Sequence, residues 1–342
     1  MKYEVTDECP YLADIVLVCR GPYEPGHSEQ MLAYATDEEE RRQIQCELAY
    51  MRGDFQTAKE SYYHTTRTSK TRISALLAAS GAAVSTNDYG LFQQVCDELE
   101  KLYQQYCDNP LMEQLLWLAL QIVYSSLYLG REPFDVSRVS LLPAATRCHA
   151  MIYYMKYMHL TQEFGKITGI GETALAMNAR SEGIFQSDEY LHIMCAIGYH
   201  ELHQEEETYQ HIKAALTIGV QDGFITPICE HITALSGRLG QYIEQHHVDF
   251  YRPIMQQCEA TINNWISMHN RYAKDNITSI LTVPELQVAT LATRGKTNAE
   301  IAKMLNYSIA YVKKALESVF AKLLITKRSE LDQYIIWSPE KK

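Results

Sequence analysis

The chain has 342 residues, of which 46% are hydrophobic and 21% charged, and its 31 Lys and Arg face 42 Asp and Glu for a net charge of −11. That length allows about two domains, and that hydrophobic share supports packed cores and excludes global disorder. The acidic total excludes a protein coated over its whole surface by nucleic acid, because phosphate binding needs a basic face.

Only ten prolines and sixteen glycines punctuate the chain, which predicts a mostly helical protein. The nine cysteines are spread singly, odd in number and without a CxxC pair. This is the pattern of reduced, buried thiols in a cytoplasmic protein. The opening MKYEVTDECPYLADIVLVC carries acidic residues inside its apolar stretch, unlike a signal peptide. No window of 18 apolar residues occurs, so no membrane span is expected.

From residue 30 to 265 helix-period runs dominate, as in Leu115, Leu116, Leu118, Leu120, Ile122 and Val123. The stretch AYMRGDFQTAKESYY puts Gly53 in a turn, Phe55 at the start of a second helix, and Ala58 and Tyr62 on one face. Asn87, Tyr89, Phe92 and Cys96 repeat that spacing 34 residues later. Looser echoes fall at Gly130, at Gln162 with Phe164 and Ile167, at His203 with Ile212 and Ala215, and at Gly240 with Tyr242. Such a period predicts antiparallel helical hairpins stacked side by side. The unit resembles the tetratricopeptide repeat, clearly in the first two hairpins and loosely afterwards. Residues 1–265 are therefore expected to form a helical-repeat sensor or interaction domain. Its concave face would take a small-molecule or peptide effector.

Most of the 24 tyrosines, such as Tyr62, Tyr153, Tyr154 and Tyr157, are expected to pack between helices. The segment holding His192, Cys195, His200, His203 and His211 invites a metal, but no matching acidic or cysteine pair accompanies it. No metal and no cofactor are therefore expected. GxxxxGK[ST], GxSxG, HExxH and GxGxxG are all missing, so the chain reads as a non-enzyme.

From Leu281 the sequence changes character. Thr282 with Glu285, Thr297 with Glu300 and Ser329 with Asp332 form capping boxes, and Ser308 is a fourth cap. They predict four short helices over 284–294, 298–305, 309–324 and 329–336, each with one apolar stripe. Gly295 closes the first helix, and Asn306 sits in the three-residue turn between the second and third. Two short helices joined by such a turn, the second longer and basic on its exposed face, describe a helix-turn-helix.

Residues 281–331 resemble the LuxR-type DNA-binding domain. Leu281, Thr282, Glu285, Val288, Leu291 and Gly295 match its first helix. Asn298, Glu300, Ile301, Ala302, Leu305 and Ser308 match its scaffold helix and turn. Val312, Lys313, Val319, Lys322, Leu323, Arg328 and Glu330 match the recognition helix and the residues after it. Pro284, Tyr311, Ala315, Asn306 and Leu324 depart from the usual pattern, and Tyr311 and Ala315 alter the surface that would read DNA.

In such a domain Thr297 and Asn298 would meet phosphate at a helix N-terminus. Lys313 and Lys314 would enter the major groove, where lysine donates to guanine O6 and N7. Glu317 would accept from a cytosine amine, and Tyr311 would meet a phosphate or a base edge. Lys303, Lys322, Lys327 and Arg328 would neutralise phosphates.

The fold class expected is all-α: a helical-hairpin solenoid over 1–265, a linker helix over 266–280 and a four-helix LuxR-type head over 281–342. The pairing resembles the MalT-like regulators, which usually carry a further nucleotide-binding module upstream. It implies a cytoplasmic transcription regulator that binds double-stranded DNA, as a homodimer by resemblance. The alternative is a repeat scaffold for peptides or proteins, with the head used for packing or partner contact. Residues 281–342 hold ten Lys and Arg against six Asp and Glu, or +4, and the rest holds 21 against 36, or −15. Only the small head is therefore suited to touch DNA.

Overall fold

The computed structural model describes residues 9–127, 133–161, 163–179, 183–231, 234–235, 238–273, 281, 283–323 and 325–333. Among them the chain is all-α, apart from one isolated bridge between Tyr23 and Ile184. The first helices are α1 (Glu38–Met51), α2 (Phe55–His64), α3 (Arg72–Ser85), α4 (Tyr89–Gln105) and α5 (Pro110–Ser126). Next come α6 (Ala144–Leu160), α7 (Phe164–Asn178), α8 (Gln186–Glu201), α9 (Glu205–Asp222), α10 (Thr226–His231), α11 (Arg238–His246) and the long α12 (Val248–Ala273). Short polar residues start several of them. Asp37 accepts from the Glu40 amide at 3.0 Å, Asp54 from Thr57 at 3.1 Å and Asp88 from Leu91 at 3.2 Å. Each cap satisfies an amide that has no intrahelical partner.

The hairpin repeat is visible in the turns. Gly53 has φ +79°, and Asn87, 34 residues later, takes the same left-handed conformation at +56° with an aspartate cap after each. His203 does likewise at +62° between α8 and α9. α1 packs on α2, α3 on α4, α6 on α7 and α8 on α9. α1, α3, α5, α6 and α8 also touch in succession, and α10 meets both α8 and α1. Small residues set the spacing, since a Cβ on Gly81 would stand 2.7 Å from the Tyr50 ring. Gly240 is not a turn: it lies inside α11, whose Leu239 and Ile243 are both buried one turn apart. Gly130 and Gln162 lie outside the described residues.

Within the second hairpin a buried ion pair ties the two helices together. Arg72 on α3 grips Glu98 on α4 through two bonds of 2.7 and 2.8 Å, and it also donates to the Tyr62 and Thr65 carbonyls. The fork geometry matches a carboxylate and leaves neither charge unpaired.

Residues 9–34 do not form a hairpin. They run across the inner helices, burying Tyr11, Ile15, Leu17, Val18, Tyr23 and Met31. Thr146 donates to the Ala13 carbonyl at 2.8 Å, and the Val18 amide donates to Glu47 at 2.9 Å. Tyr23 exchanges two backbone bonds with Ile184. The Asp222 carboxylate accepts from the Gly26 and Ser28 amides, both at 2.9 Å. The inner faces of α1, α6 and α8 are thus lined by the chain itself.

α12 closes the other side. Asn264 donates to the Ser85 carbonyl, Trp265 to that of Ser126, and His269 meets that of Leu127, at 2.7 to 2.8 Å. These are C-terminal carbonyls of α3 and α5, which lack intrahelical donors. The helix therefore continues past residue 265 as packed structure up to 273, while 274–280 lie outside the described residues. No helix among the described residues is long and apolar enough to cross a membrane.

Candidate nucleic-acid interface

The last described helices are α13 (Val283–Thr293), α14 (Asn298–Met304) and α15 (Ile309–Leu323), followed by a 3-10 turn at Arg328–Gln333. Their buried residues form a cluster of their own: Val288, Leu291, Ile301, Leu305, Val312, Leu316, Val319, Leu323 and Leu331 lead it. Each comes from the apolar stripe of its helix, so packing the stripes together sets the three helix axes. Gly295 closes α13 at φ +75°, and Asn306 makes the turn before α15 at φ +55°. The Thr297–Glu300 capping box is formed, with the Thr297 amide 2.6 Å from the Glu300 carboxylate. Ser308 accepts from the Tyr311 amide at 3.1 Å and caps α15.

Thr282, expected to cap α13 together with Glu285, lies outside the described residues, and Glu285 accepts the Ser318 hydroxyl at 2.6 Å, tying α13 to α15. After α15, Glu330 rather than Asp332 gathers the free amides, those of Thr326 at 2.7 Å and Lys327 at 2.9 Å. This draws residues 328–333 into a 3-10 turn in place of the start of a fourth α-helix. Those two amides also hold the Glu330 carboxyl below its ordinary pKa.

α15 divides cleanly. Val312, Ala315, Leu316 and Val319 face the core, while Tyr311, Lys313, Lys314 and Glu317 are exposed. Among the described residues neither lysine has an acidic partner within ion-pair distance, so both charges face solvent. Tyr311 is 43% exposed, and its ring centroid lies 4.6 Å from that of Tyr307, which braces it against the turn. Two aromatic side chains and two lysines therefore mark the start of one solvent-facing helix. Lys303 and Lys327 are exposed as well, and the side chain of Lys322 lies outside the described set.

Thr297 is exposed at the start of α14, with its hydroxyl in the capping box. Its hydroxyl, and then its amide, hold the Glu300 carboxyl below the usual range. Asn298 and Arg328 are joined to each other: Arg328 Nη1 donates to Asn298 Oδ1 at 3.0 Å. The same guanidinium donates to the Ala292 carbonyl at 3.3 Å and to that of Lys296. Arg328, expected to neutralise phosphate, instead clamps the end of α13 to the start of α14. Burial lowers its pKa, as befits a cation turned inward.

The histidine-rich segment separates into three destinations. His192 and His211 meet ring to ring, with Nδ1 atoms 2.9 Å apart, and His211 Nε2 lies 3.0 Å from Glu172. Since both ring nitrogens of His211 are engaged in different directions, the trio does not converge on a point. Cys195 is buried among apolar groups, and burial pushes its thiol up to about 12. His200 turns to the C-terminal domain, its Nε2 3.2 Å from the Met304 carbonyl. Sequence reasoning had no signal for that contact, which spans 104 residues.

The fold and its exposed basic helix define a helix-turn-helix domain. Residues 279–335 match the family of bacterial regulatory proteins known as the luxR family, GerE. No curated protein and no solved structure matches the chain. The chain thus carries a LuxR-type helix-turn-helix head on an all-helical region, and the head supports DNA-binding transcription regulation.

Proposed function

We propose that the protein is a sequence-specific transcription regulator whose head docks α15 in the major groove, while the repeat region senses an effector or partner. The carrying observation is the division of α15, with Tyr311, Lys313, Lys314 and Glu317 on the outer face and the core residues behind them. Lysines here would meet guanine edges, Glu317 a cytosine amine, and Tyr311 a phosphate or base edge. Thr297, Asn298 and Lys327 would hold the register on the backbone. A homodimer fits the luxR-family head, because two heads would read two half-sites.

The repeat region is the sensing part in this reading. With residues 9–34 lining α1, α6 and α8, an effector would meet a face already furnished with the chain's own backbone and side chains.

The test is duplex binding by the full chain over a salt series. A regulator should lose affinity linearly in log–log form, and Lys313→Ala should weaken binding by about 1–3 kcal/mol if it reads a base. Binding that ignores both salt and Lys313, or its absence, would favour a scaffold whose head serves partner contact.

A further inference from the structure

His200 occupies the last turn of α8 and is only 4% exposed, because the head lies over it. Its Nε2 stands 3.2 Å from the Met304 carbonyl. A carbonyl only accepts, so Nε2 carries the hydrogen and the ring donates. Met304 ends α14, directly before the turn that aims α15. The amides just beyond it are committed elsewhere, Leu305 to Ile301 and Tyr307 to Ala302. His200 therefore serves a carbonyl at a helix end, a group that needs a donor from outside the helix.

The neighbours of His200 also face the head. Burial raises the pKa of Glu201, but the hydrogen bond and charge of His159, together with the charge of Arg294 in the head, more than offset it. His203, in the left-handed turn, lies near enough to Glu300 to help hold that carboxyl down, behind the larger effects of Thr297 and Lys296. Beyond the turn, α9 opens with Glu205, Glu206 and Glu207. A head of charge +4 is thus held beside the acidic tip of a region of charge −15.

We propose that the tip of the α8–α9 hairpin is an intramolecular latch that holds the head against the acidic repeat region and so restrains its binding to DNA. The inference rests on the DNA-binding reading above. Phosphates approaching the docked head meet the field of Glu206 and Glu207, and the repulsion weakens binding most at low salt. Release moves the head away from that field without altering α15. A docked state that binds poorly lowers apparent affinity by the fraction of released molecules.

The experiment uses the full chain and a fluorescent mixed-sequence duplex, read by anisotropy at low salt, beside hydrogen exchange of the 305–308 amides. His200→Ala removes the donor. His200→Gln keeps an N–H near the Nε2 position. Glu206→Gln with Glu207→Gln removes one exposed and one half-buried charge without touching the contact, and it answers the question should His200→Ala fail to fold. The latch requires that His200→Ala bind DNA roughly 2- to 10-fold tighter, the range one net hydrogen bond supplies, and exchange the turn amides faster. His200→Gln should stay near the parent, and the double charge variant should also bind tighter. Unchanged exchange in His200→Ala would overturn the latch. Faster exchange with equal or weaker DNA binding would overturn the restraint. If neither the parent nor any variant binds duplex, the DNA reading itself falls and the restraint with it.

Discussion

Arg328 and Lys313 are both cations of the head, yet they do opposite work. The guanidinium is spent on the Ala292 and Lys296 carbonyls and on Asn298, whereas the Lys313 ammonium faces water. Arg328→Ala should therefore cost about 1–3 kcal/mol of head stability, the penalty for stranding part-buried acceptors. Chemical denaturation followed in the head should show that loss, while the salt slope of DNA binding stays as in the parent. Lys313→Ala should give the reverse pattern, a shallower slope with stability intact. In the repeat region Glu40 contributes a pH dependence of its own. Burial alone would raise its carboxyl, but Lys70, the Thr36 amide and Arg20 outweigh that and bring it from 4.5 to about 2. A carboxyl lowered in the folded state stabilises fully above its unfolded pKa. That stability should be complete above pH 4.5 and drain away as the pH falls toward 2. Urea titrations at stepped pH should show the parent losing stability more steeply over this interval than Glu40→Gln.

At the scale of elements the turns carry the repeat. Asp54 caps α2 through the Thr57 amide and also accepts the Thr57 hydroxyl at 2.6 Å. Asp54→Ala should cost about 1 kcal/mol, the usual value of an N-cap, seen as a lower midpoint in thermal unfolding. Local chemistry of this kind is legible in sequence, which is why Gly53, Asn87, the Thr297 box, Gly295 and Asn306 all stand where their spacing puts them. α14 ends one residue before the expected limit and α15 starts at the expected residue, since caps and stripes are both local signals. Gly240 misleads because a glycine in a helix and a glycine in a turn look alike until the flanking burial of Leu239 and Ile243 is seen. The turn after α15 misleads because two acids, Glu330 and Asp332, stand within reach by spacing, and only the fold selects Glu330. For the candidate site, residue type and stripe position pick out the outward lysines. The inward Arg328 is decided by carbonyls more than 30 residues away in sequence.

At the scale of the molecule the largest departure from local logic is the path of residues 9–34. No period announces it, because partners such as Glu47 and Asp222 lie as far as 29 and 196 positions away. Leu17 is fully buried within it, and Leu17→Ala should cost about 2–5 kcal/mol, the range for truncating a packed core leucine. Guanidinium unfolding should show this loss in the repeat region, at a position that lies outside the helices of the repeat but packs on α1, α6 and α8. The same path has a consequence in time. On a ribosome, residues 11–28 emerge with α1 close behind but long before α6, α8, Ile184 and Asp222 exist, so this apolar stretch waits half-partnered while most of the repeat region is made. Non-local contacts of such separation slow folding and leave hydrophobic surface exposed meanwhile. The chain should therefore refold slowly from denaturant and precipitate readily when dilution is abrupt. The order of synthesis and the order of closure run opposite to each other: a segment made before the helices it crosses is among the last to be locked.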